Sequence, residues 1–442
     1  MNNMFRNIYA IVLLSIALAG TATAFAQDDV YPAKPYKGLL FITNATVHVG
    51  NGQVVDKATV EVNDGKIVRV GREIPIPVDD VKVFDAKGRH VYPGLILSMS
   101  NLGLVEVPTV RATSDVREIG EINPSIRSIV AYNTDSKIIN TVRSNGILLA
   151  NIVPEGGVIS GSSSVVQLDA WNWEDAAYRM DGGMHFRMPP LYVRPNPFRA
   201  FMGMREPEGD PVKRSLEQIE QVKATLREAK AYSLQKDVKE PNLKMEAMRS
   251  LFNGKQKFFI HCDVVREMLV AIDFVKEFGL DVVIVGGSES WQIADLLKKN
   301  NIPVILSQMH SLPTLSDDDV DQPYKTAAAL QKAGVLFAIN DEDGQHRGKN
   351  LPFNAGTAAA YGLTKEEALS AITLNAAKIL GIADRTGSIE PGKDANLVIS
   401  EGDILDMRSS VVTHAFIQGR YLDLTDKHKQ LYERYKGKYG LE

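Results

Sequence analysis

The chain has 442 residues, 44% hydrophobic and 24% charged, an ordinary globular composition with room for one large domain and a smaller one. Its formal net charge of −4 comes without a basic stripe, which gives no footing to nucleic acid or to an anionic membrane surface as a partner. Cys262 is the single cysteine, so no disulfide forms within the chain.

Arg6 precedes the apolar run "IYAIVLLSIALAG", and "TATAFAQ" follows it, with Ala24 and Ala26 as a small-x-small cleavage site. Residues 1–26 are therefore expected to be an export signal cut after Ala26, leaving a periplasmic or secreted chain from Gln27. The run is too short for the roughly 20 residues of a spanning helix, no later segment approaches that length, and no lipidation cysteine follows it.

From Gly38 to Val91 short β-branched runs alternate with Gly, Asn and Asp turns, and "NDG" at Asn63–Gly65 is a hairpin signal. A second strand-rich set, "GSIEPGKDANLVIS" and "VVTHAFIQGRYLDL", lies near the other end. The pattern predicts a small β-sandwich domain built from both chain ends, residues 27–92 plus 386–424.

Between them strand and helix alternate: "KFFIHCD" before "VVREMLVAIDFVKEFG", "DVVIVGG" before "SESWQIADLLKKN", "VLFAIN" before helices around Ala355–Leu380. Short apolar strands joined by amphipathic helices imply parallel βα units, and residues 93–385 fit a (β/α)8 TIM-like barrel in an α/β fold. Residues 170–210, rich in Pro, Met, Arg and aromatics without a clean period, are expected to form a lid or insertion. Residues 425–442 read as a solvated helical tail.

"VYPGLI" opening the first barrel strand, "SNGILLANIVPEGG" and above all "ALSAITLNAAKILGIADRTGSIEPGKDANLVI" resemble the metal-dependent amidohydrolase superfamily, in particular its imidazolonepropionase-like branch. Asn375, Ala377, Gly381, Gly387, Gly392, Asp394 and Ala395 fall where that family writes its closing helix and its return to the β domain. The resemblance implies a hydrolase of C–N bonds with divalent metal at the barrel mouth.

In that family the first strand continues as Pro-Gly-Leu-Ile-Asp-x-His-x-His, a spacing that aims two imidazoles at one ion. Here the frame runs Pro93 to Asn101 and puts Met99 and Asn101 at the histidine positions, a soft thioether and a weak amide. The strand-five ligand maps to Asp263, with His261 two residues earlier on the same face. Strand six offers only Gly286 and Gly287. Strand eight supplies Asp341, Glu342 and Asp343 in a row, and the register leaves open which of them takes the acid position; Asp341 is assigned as ligand and general base. The resemblance is thus to a subgroup with degenerate ligands, holding at most one divalent metal, zinc or similar, on Asp263, Asp341 and His261, or none.

Asn101, Glu106, Arg111 and Arg117, in and after strand one, are expected to contact substrate, with His310 and His346 in the loops after strands seven and eight. The glycines of "VGGSES" offer backbone N–H groups to an anionic substrate group. Cys262 is expected to be a small core residue.

Two functions follow. The first is hydrolysis of an amide, cyclic-amide or small-peptide C–N bond at an atypical, at most mononuclear site. The second is a non-catalytic periplasmic barrel that binds a small molecule or forms a complex. Oligomeric state leaves no trace in the sequence, and a homodimer is the default expectation.

Overall fold

The computed structural model describes residues 31–192, 209–307, 309–315, 317–341 and 347–441. The export signal expected over residues 1–26 lies outside them, as do residues 193–208 of the expected lid. No helix among the described residues is long and apolar enough to cross a membrane.

Strands β1 (Leu39–His48), β2 (Val54–Asn63), β3 (Lys66–Gly71), β4 (Val81–Asp85) and β5 (His90–Pro93) open the chain. The "NDG" turn joins β2 to β3 with Asp64 at φ 47° and Gly65 at φ 78°, the positive angles a two-residue hairpin needs. A Cβ on Gly65 would sit 2.5 Å from the Gln418 carbonyl oxygen, so this turn packs against the far end of the chain.

The barrel follows as β6 (Leu95–Ser100), β7 (Ile147–Ile152), β8 (Ile159–Gln167), β9 (Ala177–Arg187), β10 (Lys257–Cys262), β11 (Val282–Gly286), β12 (Val304–Leu306) and β13 (Phe337–Ile339), hydrogen-bonded in sequence order. The chain then returns as β14 (Leu397–Ser400), β15 (Val412–Ile417) and β16 (Arg420–Tyr421), which join the first sheet through β14 beside β5. Residues from both ends share one apolar core, Leu40, Ile42, Val60 and Val91 against Leu397, Ile399 and Phe416.

Two features depart from the expected run of parallel βα units. Strand β8 is antiparallel to both β7 and β9, while the other ladders of the barrel are parallel. Residues 153–158 turn β7 into β8 with Gly156 at φ 87° and Gly157 at φ 65°, a link too short for the crossover that a parallel neighbour requires. And residues 177–187, expected in the lid, are strand β9, with Met184, His185 and Phe186 fully buried.

The edges β6 and β13 are joined by a side chain. Asn340, directly after β13, accepts from the Met99 N–H and donates to the Met99 carbonyl, both at 3.0 Å.

The barrel is tied to the small domain by buried charge. Asp169 accepts from Arg143 of the helix Lys137–Arg143 at 2.7 Å and from Arg420 of β16 at 3.1 Å. The chain closes with the helix Lys427–Tyr439, which buries none of its residues, as expected of a solvated tail.

Candidate active site at the barrel mouth

Residues at or just beyond the carboxyl ends of the strands line two adjoining clefts. Met99 and Asn101 from β6, Glu155 after β7, Arg187 from β9, His261 from β10 and Asp341 after β13 line the first. The second is lined by Arg187 and His261 again, with Tyr192, Cys262, Asp263, Glu267, Gly286 and Ser307. Arg187 and His261 are shared because they stand opposite each other in the β9–β10 ladder.

Beneath His261 sits His185, fully buried, its Nδ1 3.0 Å from His261 Nε2 and its ring stacked on Phe259 at 4.9 Å. Burial holds the His185 imidazole down to about 3, and the Arg187 cation adds to the effect. Burial likewise pushes His261 well below its ordinary value, helped by Arg187 and then by His185. Both rings are uncharged at neutral pH and share one N–H···N bond.

The acids of the clefts are engaged by neutral donors. Asp341, 4% exposed, accepts from Asn354 Nδ2 at 3.0 Å, and Glu155 accepts from Asn101 Nδ2 at 3.2 Å. Glu267 accepts from the backbone N–H groups of Leu191 and Asp263. Asp263 accepts from the Ser288 N–H at 3.4 Å, and its Oδ1 lies 2.7 Å from where a Cβ on Gly286 would be. The strand-six ligand position is therefore closed to any side chain, and Gly286, at φ 100°, is glycine for both reasons.

Asn101 and Asp341 line the first cleft, Asp263 the second, and His261 both. Other expected contacts fall elsewhere. Arg111 and Arg117 are exposed, and Glu106 is occupied by Asn133 at 3.0 Å and Ser136 at 3.0 Å, because the long loop after β6 packs on itself and on β8 instead of turning into the mouth. His310 meets Thr357 Oγ1 at 2.6 Å through Nε2, outside both clefts. His346, Glu342 and Asp343 lie outside the described residues. The "VGGSES" turn has no N–H groups to spare: those of Gly287 and Glu289 go to the carbonyls of Cys262 and Asp263, and that of Ser288 to the Asp263 carboxylate. Cys262 is buried, and burial, with the Glu267 and Asp263 charges, pushes its thiol well up, so it is an inert core residue.

Sequence reasoning missed His185, Arg187 and Glu155. The clue to the first two was the alternation in "MHFR": once that stretch is a strand, His185 and Arg187 share a face. Glu155, in "EGG", was legible only as a turn.

A β domain drawn from both chain ends and joined to a barrel with its polar residues at the strand ends defines the class, an amidohydrolase-type barrel. Comparison with known proteins agrees. Residues 218–422 match the Amidohydrolase family. Amidohydrolase tasK of Hapsidospora irregularis is 21% identical over 426 residues, 89% of this chain and 42% of that protein. The imidazolonepropionase of Thermoplasma volcanium is 38% identical over 86 residues, 19% of this chain and 21% of that one. The chain thus spans less than half the length of these curated relatives. Among solved structures, an amidohydrolase from Thermotoga maritima MSB8 superposes with a TM-score of 0.70 at 27% identity, over 87% of this chain and 99% of that one. These similarities support the amidohydrolase superfamily, in its imidazolonepropionase-like branch.

The divalent metal that this family generally uses does not fit the donors present among the described residues. Met99 and Asn101 stand at the His-x-His positions, Asn101 is bonded to Glu155, Gly286 offers nothing, and His261 spends Nε2 on His185. Asp263, Asp341 and His261, expected to share an ion, do not gather: among the described residues no three His, Cys, Asp or Glu side chains are grouped to hold one. An ion on His261 would also face the like charge of Arg187 on the next strand.

Proposed function

We propose that the chain hydrolyses a C–N bond, amide or cyclic amide, of a small molecule or short peptide, without the family's binuclear centre. Asp341 is the general base. The observation that carries this reading is its placement: a nearly buried carboxylate, oriented by Asn354, opening into a cleft that also presents Arg187 and His261.

Asp341 takes the proton from a water as that water attacks the carbonyl carbon, and hands it to the departing nitrogen as the C–N bond breaks, so that a carboxylic acid and an amine leave. General-base help contributes about 10²- to 10⁴-fold. A metal that lowers the pKa of bound water from about 15.7 to about 7 achieves more, so turnover is expected to be slow.

The lost donors at positions 99, 101 and 286 favour a second reading, a barrel that binds its ligand without turning it over. One experiment separates the two: elemental analysis of the purified protein, then turnover of an amide and cyclic-amide panel by wild type and Asp341→Asn. Slow, chelator-resistant hydrolysis that Asp341→Asn abolishes supports the first. Binding without turnover supports the second, and activity that tracks a stoichiometric metal overturns the metal-free mechanism. We further propose that the protein works outside the cytoplasm, on the strength of its first 26 residues; an exported form beginning at Gln27 is the expected result of N-terminal sequencing.

A further inference from the structure

We propose that Arg187 is the resident cation of this barrel mouth and anchors a carboxylate group of the ligand, in the place where the family would use a metal ion. The proposal rests on the reading of the mouth as the ligand site, and it holds whether or not hydrolysis follows.

Among the described residues Arg187 is the one Lys or Arg lining either cleft, and it lines both. Four carboxylates surround the same space, so a cation there would ordinarily be paired. It is not. Glu155 is bonded to Asn101, Asp341 to Asn354, Asp263 to Ser288, and Glu267 to two backbone N–H groups. Among the described residues the Arg187 guanidinium makes no hydrogen bond and no ion pair, whereas Arg127, Arg143, Arg179, Arg227, Arg249, Arg385 and Arg420 all do.

A half-buried guanidinium with its donors unspent is costly unless something in the cleft accepts from it. The planar fork matches a carboxylate in two parallel N–H···O bonds. The neighbouring positions are consistent with that task. His185 and His261 are neutral, so among the described lining residues no second cation competes for the anion, and the β9–β10 ladder fixes the Arg187 backbone one strand from His261. The other anion cradle legible in the sequence, the "VGGSES" turn, is filled by the chain's own Asp263.

The test is calorimetric titration of the full chain, in EDTA, with N-acetyl-glycine, N-acetyl-alanine, N-acetyl-leucine and N-acetyl-phenylalanine, and with the neutral N-methylamide of each. At least one acid is expected to bind, with its methylamide about ten- to hundred-fold weaker, the range of a lost charge-assisted hydrogen bond. Arg187→Met is expected to erase the preference for the acid, and Arg187→Lys to keep part of it. The proposal is overturned if no acid binds, if each acid and its methylamide bind alike, or if Arg187→Met keeps the preference. The acid-to-amide ratio in wild type decides the matter even if a variant fails to fold. Asp341→Asn separates this from hydrolysis: it should retain acid binding while losing turnover. An acid bound but never cleaved would sink the hydrolase reading and leave the anchor standing, and cleavage of neutral amides untouched by Arg187→Met would do the reverse.

Discussion

Asn340 holds both the N–H and the carbonyl of Met99, each at 3.0 Å, so a side chain supplies the rung that closes the barrel between its first and last strands. The same contact couples two corners of the mouth, since Met99 lines the first cleft and Asn340 precedes Asp341. Asn340→Ala leaves a buried donor and a buried acceptor unpaired. At about 1–3 kcal/mol for each, a loss of about 2–6 kcal/mol is expected. Urea denaturation reads the total and amide exchange at Met99 reads the location; a variant within about 0.5 kcal/mol of wild type would show that the rung carries no stability.

Gly286 and Asp263 exclude one another's alternatives. Gly286→Ala places a methyl 2.7 Å from Asp263 Oδ1 at a φ of 100°, which is expected to cost about 1–3 kcal/mol. Adding Asp263→Ala should recover part of that loss in a double-mutant cycle, while the φ strain remains. Gly286→His should not restore metal binding, which elemental analysis of the variant checks directly.

The buried His185–His261 pair sets an acid limit on stability. The folded pKa of His185, about 3, lies below the ordinary unfolded value of about 6.5, so between these pH values the unfolded chain binds a proton that the native state refuses. The contribution is complete above about pH 6.5 and is lost as pH falls toward 3, at about 1.4 kcal/mol per pH unit for one such histidine. Unfolding in urea at pH 7.5 and 5.0 is expected to show the wild type losing about 2 kcal/mol or more. In His185→Phe, which keeps the stack on Phe259, about half of this dependence should disappear, because His261 still titrates. An unchanged pH slope in that variant would mean that His185 is protonated in the native state.

Asp169 neutralises two buried guanidiniums, Arg143 from the barrel and Arg420 from the small domain. Asp169→Ala strands both and is expected to cost about 3–5 kcal/mol, with Asp169→Asn intermediate. The measurement is the denaturation midpoint. A loss below about 1 kcal/mol would mean that water replaces the carboxylate.

Much of the fold was legible because its information is local. The β-branched alternation around "NDG", the strand-helix alternation after Lys257, and the Pro93–Asn101 frame each report burial over a few residues, and each became the expected element. The changes at Met99, Asn101 and Gly286 were likewise readable position by position. Other features depended on contacts between distant segments. The direction of strand β8 is set by a six-residue link too short to cross the barrel. The "MHFR" stretch hides its alternation among prolines and methionines until pairing with β8 and β10 makes it a strand. Motif determined the family frame and put Met99, Asn101 and Gly286 where that frame expects histidines. That Arg187 ends beside His261 with its donors unspent, while the surrounding acids bond to amides and backbone, was decided only by the tertiary structure, because pairing between charges depends on which strands lie side by side.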